Sequence, residues 1–410
     1  KYMVKIKSIK AREIKDSRGN PAVEVKLETE KGIFFASVPS GASKGKNEAL
    51  ELRDEDGKGI KKALENINKA IAPALKNKNP ENQGEIDKIM IDLDGTENKS
   101  RLGANSILAV SIVVCRAGAV AKKVPLYHHI SEFCEVRPRK NFKMPMAMFN
   151  ILEGGAHADN ELDIQEFMIV PQKETFIENL VICNKIFQNL KNIIEKNFGN
   201  VELGDEGGYA PKISKTEQAL FLLKNAIGAE DCKIAIDAAA SQFFKGGKYN
   251  IEGKELTKPE LLYFYEDLIK RFSIISIEDP FAEEDWQGFQ FIMRQLGQKI
   301  LAIGDDLTTT NIKRIKEAHN KNACNSVILK PNQVGTVSET IEASKLAKSF
   351  NWKTIVSHRA GETMDSFIAD LAVGLNADFI KSGSPIKEER MVKYNRLLEI
   401  EKELSKNRKF

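Results

Sequence analysis

Between Lys233 and Gly383, short apolar runs end repeatedly in a charged residue. KIAID ends at Asp237, IISIE at Glu278, LAIGD at Asp305 and SVILK at Lys330. KTIVSHR carries His358 and Arg359 just past its apolar run, and DFIKSG ends its run at Lys381. Three carboxylates brought to one place need a counter-ion, because each raises the pKa of the others. Hard oxygen donors suit Mg2+. Cysteine and histidine are absent from those three strand ends, which argues against a structural zinc site. A lysine at its reference pKa of ~10.4 is a poor base. A neighbouring Mg2+ and a second ammonium both disfavour its charged form, so Lys330 and Lys381 beside a metal make a proton-abstracting device. Arg359 offers a planar fork for phosphate or carboxylate. Together these groups suit removal of a proton next to a carboxylate and expulsion of a leaving group.

Two further stretches carry candidates. Gly204-Asp205-Glu206-Gly207-Gly208 sets two acids among glycines, which let the backbone approach a ligand closely, and Glu206 is the candidate acid. His157 sits in G-G-A-H-A-D-N, next to an apolar run carrying Gln165 and Glu166. A lone histidine also occurs as a satisfied structural residue; the adjacent Gln and Glu favour a site. V-P-S-G-A-S-K-G-K-N-E, Val38 to Glu48, reads either as a surface loop or as a lid that closes on a ligand.

The elements that must position these residues follow from periodicity. A buried parallel strand reads as a continuous β-branched run, and the helix after it covers it. Segments of helical length, such as Pro259–Arg271 and Ser338–Ser349, separate the runs. That alternation fits a β/α barrel, with its active site at the C-terminal ends of the strands. Met146–Leu152 and Ile164–Val170 read as strands, Phe176–Phe198 as a long amphipathic helix, and Val201–Leu203 as a short strand before the glycine-flanked acids. Upstream, Met3–Ile14, Ala22–Glu28 and Ile33–Val38 read as a β-meander, turning at Asp16–Pro21. Lys58–Lys123 is helical in character and breaks at Asp94-Gly95. This predicts an α+β domain over residues 1–136, a linker at Pro138-Arg139-Lys140, and a barrel domain over 137–410.

Composition excludes several classes. Hydrophobic residues make up 42% and charged residues 29% of the 410, as expected of a packed globular fold. A formal net charge of +4 is too small at this length to argue for nucleic acid. The longest apolar run, Ile107–Val114, fits a buried helix rather than a membrane span. The sequence opens at Lys1, with no secretory signal in what is given and with preceding residues expected. Five cysteines, odd in number and never spaced C-x-x-C, point to a reducing, cytoplasmic compartment.

The motifs DSRGNP, VPSGAS, LDGT, GGAHADN, QEFM, GDEGG, SIEDPF, GDDL, LKPNQ, SHR and IKSG, spread over nearly the whole chain, resemble those of the enolases. The general scheme of a Lys or His base working with Mg2+ is the known pattern of that superfamily. The resemblance implies an eight-stranded, enolase-type β/α barrel behind a small N-terminal domain. It implies a glycolytic hydro-lyase that reversibly dehydrates 2-phosphoglycerate to phosphoenolpyruvate. By motif position, Lys330 takes the C2 proton and Glu206 protonates the departing hydroxyl. Asp237, Glu278 and Asp305 hold the first of two Mg2+ ions, and Ser43 of the lid helps hold the second, which arrives with substrate. Gln165 and Glu166 lie near the acid, His157 closes on the substrate, Lys381 binds its carboxylate, and Arg359 with position 360 binds its phosphate. A homodimer or a ring of dimers is the implied assembly.

The chain departs from the pattern at named places. Ala360 stands where a phosphate-binding serine is expected, and Met364 where an acid is. Glu153 replaces the Asn of NGG, Lys44 the lid threonine, and Gln242 the acid of ASEF. Two other readings stay open here. One is an enzyme of the same superfamily acting on an unphosphorylated carboxylate. The other is a weakly active relative kept for a binding or structural role.

Overall fold

The computed structural model describes residues 3–41, 45–134, 141–200 and 202–407. Strands β1 (Ile6–Lys15), β2 (Pro21–Thr29) and β3 (Gly32–Ser37) form the expected antiparallel meander. Val23, Val25 and Leu27 are buried, while Glu24 and Lys26 alternate toward the outside. Helix Ala104–Lys122 packs on the sheet and helix Gln83–Asp94 packs on that helix, ending at Gly95 as the Asp94-Gly95 break predicts. Ala104–Lys122 is long and apolar enough to cross a bilayer, yet it lies buried within the protein. The expected domain boundary at 136/137 and the linker at 138–140 fall outside the described residues.

The barrel closes through eight strands. They are β4 (Met146–Glu153), β5 (Glu166–Pro171), β6 (Cys232–Asp237), β10 (Ile274–Glu278), β11 (Leu301–Gly304), β12 (Ser326–Leu329), β13 (Lys353–Ser357) and β14 (Phe379–Lys381). Between β6 and β10 a small antiparallel sheet stands apart: β7 (Phe244–Lys245), β8 (Lys248–Ile251) and β9 (Lys254–Leu256). The ring runs β10-β11-β12-β13-β14-β4-β5-β6, with every pair parallel except β4–β5 and β5–β6. The reversal of β5 has a simple cause. The link from Gly154 to Gln165 holds only one 3-10 turn, too little for the crossover that a parallel pair requires. The link from β5 to β6 then carries two helices, Phe176–Phe198 and Thr216–Ile227, and the chain re-enters at the end where β5 finished, Pro171 facing Cys232. The short strand expected at Val201–Leu203 reduces, over its described part, to a single bridge from Leu203 to Tyr209.

Inside the ring, Met148, Met168, Ala235, Ile303, Ile328 and Ile355 form a cluster of their own. Side chains along a strand alternate between faces with period two. The next inward positions toward the mouth are therefore Asn150, Glu166, Asp237, Asp305, Lys330 and Ser357. The apolar plug and the polar mouth are successive layers of one barrel.

The N-terminal domain is fastened to the barrel by buried polar contacts. The first N–H groups of helix Val337–Ser349 find acceptors there: Val337 N–H donates to Ser111 Oγ (2.9 Å) and Ser338 N–H to Asp87 Oδ2 (3.0 Å). Ser338 Oγ also donates to Asp87 Oδ2 (2.6 Å), and Gln83 donates to both Asp87 oxygens (3.1 Å). Substituting Asp87→Ala strands these buried donors, so urea denaturation should show a loss of about 1–3 kcal/mol. An unchanged midpoint would mean that the clasp contributes nothing.

Candidate active site

Strand register lines up four carboxylates at one level of the barrel. Glu153 on β4 faces Glu166 on β5, Glu166 faces Asp237 on β6, and Asp237 faces Glu278 on β10. All four are buried. Lys381 enters from the end of β14, and its Nζ lies 3.0 Å from Glu166 Oε2, 3.5 Å from Asp237 Oδ2 and 2.9 Å from Glu278 Oε2. Burial works against that ammonium, but Glu166, Glu278 and Asp237 outweigh it and hold its pKa well above the usual lysine range. Burial, then Glu206, pushes Glu166 up to about 8 despite Lys381. Burial and Asp237 raise Glu278 well above the ordinary carboxylate value.

Asp305 and Lys330 follow directly on the ends of β11 and β12 and form an ion pair with each other. Burial alone would raise Asp305; Lys330, then Lys381, bring it down to about 2. Gln333 Nε2 donates to its other oxygen (3.0 Å). The lowering of Lys330 expected from the sequence needs a neighbouring Mg2+ as well as the second ammonium. In the protein alone, burial, Arg359 and Lys381 press it down, but contact with Asp305 leaves it raised.

Glu206 lies in the loop 204–208, which meets β4 through the Leu152–Tyr209 bridge. Its carboxylate accepts from Asn150 Nδ2 (3.1 Å), lies 3.1 Å from His358 Nε2, and stands 3.8 Å from His157 Nδ1. Burial raises Glu206, and the imidazoles of His358 and then His157 pull it well below the usual range. Arg390, buried on the C-terminal helix, approaches His358 Nδ1 at 2.5 Å. An arginine only donates, so Nδ1 accepts and the ring presents its N–H from Nε2 to Glu206. Burial keeps His358 neutral, with its pKa at about 4.

Arg359 holds Glu48 with two nitrogens (3.0 and 3.2 Å) and donates to Asn332 Oδ1 (3.0 Å). The fork expected to take an anion thus already grips a carboxylate from the last residue of the Val38–Glu48 stretch. Ala360, beside it, gives its carbonyl to Arg390 (2.7 Å) and Ser17 Oγ (3.3 Å). Ser40 and Gly361 exchange backbone bonds (2.9 Å each), tying the base of the lid to the loop after β13. Ser43 and Lys44 lie outside the described residues.

One pocket therefore gathers His157, Gln165, Glu166, Glu206, Asp237, Asp305, Lys330, Arg359, Ala360 and Lys381 from the sequence reading. Glu278 sits beneath it against Lys381. Asp279 and Asp306 also line it and were not foreseen; with Asp305 they bring carboxylate oxygens within 4.8 Å of one another. Burial and Asp305 push Asp306 up to about 7. Six carboxylates line the pocket against three cationic side chains, and the strand-end donors Asp237, Glu278 and Asp305 offer oxygen alone. That set fits a hard divalent cation. Asn150 and Arg390 were also missed. Asn150 hides in an apolar run, and Arg390 lies 31 residues from the backbone oxygen it holds, that of Arg359.

The family model for the enolase C-terminal TIM barrel domain matches residues 141–410. The chain belongs to the enolase family. The family model for the enolase N-terminal domain matches residues 6–130, so enolase domains account for both parts of the fold.

Asp305→Asn keeps the side-chain shape but loses one charge. Titration calorimetry with Mg2+ should show binding weakened on the order of tenfold or more. Equal affinity in the two proteins would remove Asp305 from the metal site.

Proposed function

We propose that this enolase-family chain is a cytoplasmic glycolytic hydro-lyase that interconverts 2-phosphoglycerate and phosphoenolpyruvate, acting as a homodimer or a ring of dimers. The observation that carries this reading is the placing of Lys330 and Glu206. They reach one pocket from β12 and from a loop bridged to β4, three strands further round the ring. A base and an acid on different sides of a substrate suit loss of a proton from one carbon and a hydroxyl from the next.

In this reading Lys330, in its neutral form, takes the proton from C2. The electron pair left behind forms the C2–C3 double bond as the C3–O bond breaks, and Glu206, in its protonated form, gives its proton to the departing oxygen, which leaves as water. Lys381 faces the substrate carboxylate. Arg359 exchanges Glu48 for the phosphate, helped by the fit of its fork to either anion. His157, beside Glu166 and Glu206, excludes water as the lid closes. Two Mg2+ ions, one on Asp237, Glu278 and Asp305 and one reached by Ser43, would supply positive charge against the carboxylate and phosphate.

The two catalytic residues should separate experimentally. Lys330→Ala should stop solvent exchange of the C2 proton, whereas Glu206→Gln should block formation of the enol product yet leave measurable exchange. Equal loss of exchange in both would show that the roles are wrong. If only unphosphorylated 2-hydroxy acids turn over, the substrate assignment fails.

Ala360 removes a hydroxyl from the phosphate side. A hydrogen bond to a charged group contributes about 1.5–3 kcal/mol. Phosphate contacts act mostly alike in ground and transition states, so Ala360→Ser should lower KM several-fold with kcat nearly unchanged. A KM that stays level or rises would show a phosphate site rebuilt elsewhere, with Lys44 the first residue to test.

A further inference from the structure

We propose that Glu153 is a positioning residue for Glu206: it shapes the loop that carries this acid and stands beside it as a second buried carboxyl. The proposal rests on the acid role of Glu206 given above. Glu153 ends β4, fully buried, as the fourth carboxylate of the row and the one that Lys381 does not touch. Its two oxygens turn instead to the loop. Oε2 accepts from the backbone N–H of Glu206 (3.1 Å) and Oε1 from that of Gly208 (2.5 Å).

The loop is built around this carboxyl. A Cβ on Gly204 would stand 2.3 Å from Glu153 Oε2, and one on Gly208 would stand 2.9 Å from Oε1, so only glycine at both places leaves room. An amide at position 153 has one acceptor oxygen and could not accept both N–H groups with separate atoms. The carbonyl side of the same loop is held from elsewhere. Lys387 Nζ donates to Gly204 O (3.0 Å) and Asp205 O (2.9 Å), and Ser384 N–H donates to Glu206 O (3.2 Å). Glu153 is thus the anchor that orients the backbone from the amide side.

It is also a second ionisable group on that backbone. The charged and titratable groups facing the pair are Glu166 on β5, His157 in the preceding loop, and His358 with Arg390 behind it. Lys381 and Asp237 act from further along the row, and Asp205 adjoins Glu206. Burial, then Glu206, raises Glu153 well above the ordinary carboxylate range. Two carboxyls in one buried site resist ionising together, and the pair loses its protons in two steps that belong to both groups. The pair therefore keeps one proton to a higher pH than Glu206 would alone, which extends the range in which Glu206 can act as the acid.

The test compares the holoprotein with Glu153→Gln, Glu153→Asn and Glu153→Asp. The alkaline limb of the kcat–pH profile for 2-phosphoglycerate should move toward acid by about one pH unit in Gln and Asn. Activity should recover as the pH falls, KM should change little, and Asp should retain the wild-type limb. A purely structural role would instead lower kcat by one factor at every pH, and that result overturns the proposal. Isotope-edited NMR of glutamate carboxyls, without substrate, should show two coupled ionisations for the pair, the upper one lost in Gln and Asn. An unaltered titration also overturns it. Failure of the wild type to turn over 2-phosphoglycerate would sink the function proposed above, while the substrate-free titration would still decide the role of Glu153.

Discussion

Four carboxylates at one level of a closed barrel, answered by a single buried ammonium, set the terms for the rest of this molecule. Burying an unpaired charge costs several kcal/mol even after relaxation, so Glu166, Asp237 and Glu278 depend on Lys381, and Lys381 depends on them. The same arithmetic leaves Glu153 without that partner and directs it to backbone N–H groups. It leaves Asp305 to Lys330 and Arg359 to Glu48. Each group is then compensated within the protein while remaining within reach of a ligand that offers something better: a cation for the acids, an anion for the bases.

The acid loop shows how such a site is held without regular structure. Residues 204–208 have no helix or sheet of their own beyond the bridge beside them. The N–H groups of Glu206 and Gly208 go to Glu153 on β4, and the carbonyls of Gly204, Asp205 and Glu206 accept from the segment after β14. Gly383, at φ +71°, lets that segment turn closely over them: a Cβ there would meet Glu206 O at 3.0 Å and His358 at 3.1 Å. The C-terminal helix thereby supports the site through Arg390, although it carries no residue that the mechanism uses. The N-terminal domain does similar work for the loop after β13. Ser17, Ser40 and the Arg116–Asp365 pair fasten residues 361–365 in place.

Much of this was legible in the sequence because both the period and the chemistry are local. Strand ends at Asp237, Glu278 and Lys381 are visible as the last residue of a β-branched run, and the long helix Phe176–Phe198 matches its apolar pattern residue for residue. The reversed strand β5 was not read from the pattern, because a buried strand looks the same in either direction. Asn150 and Ser357 sit inside apolar runs and differ from core positions only by being one step further along the inward face.

By itself the sequence determined which side chains stand at the mouths of the strands, and hence a chemistry of hard metal, base, acid and anion clamp. It also carried the family, through motifs spread over the whole length. Only the tertiary structure decided who pairs with whom. Whether Lys330 is raised or lowered depends on Asp305 touching it, 25 residues away in the chain. The tautomer of His358 depends on Arg390, 32 residues on. Glu153, in sequence a single departure from a motif, becomes the anchor of Glu206 only because β4 and the loop 53 residues later close on each other. Electrostatic coupling depends on distance and burial, and neither is written in the order of residues.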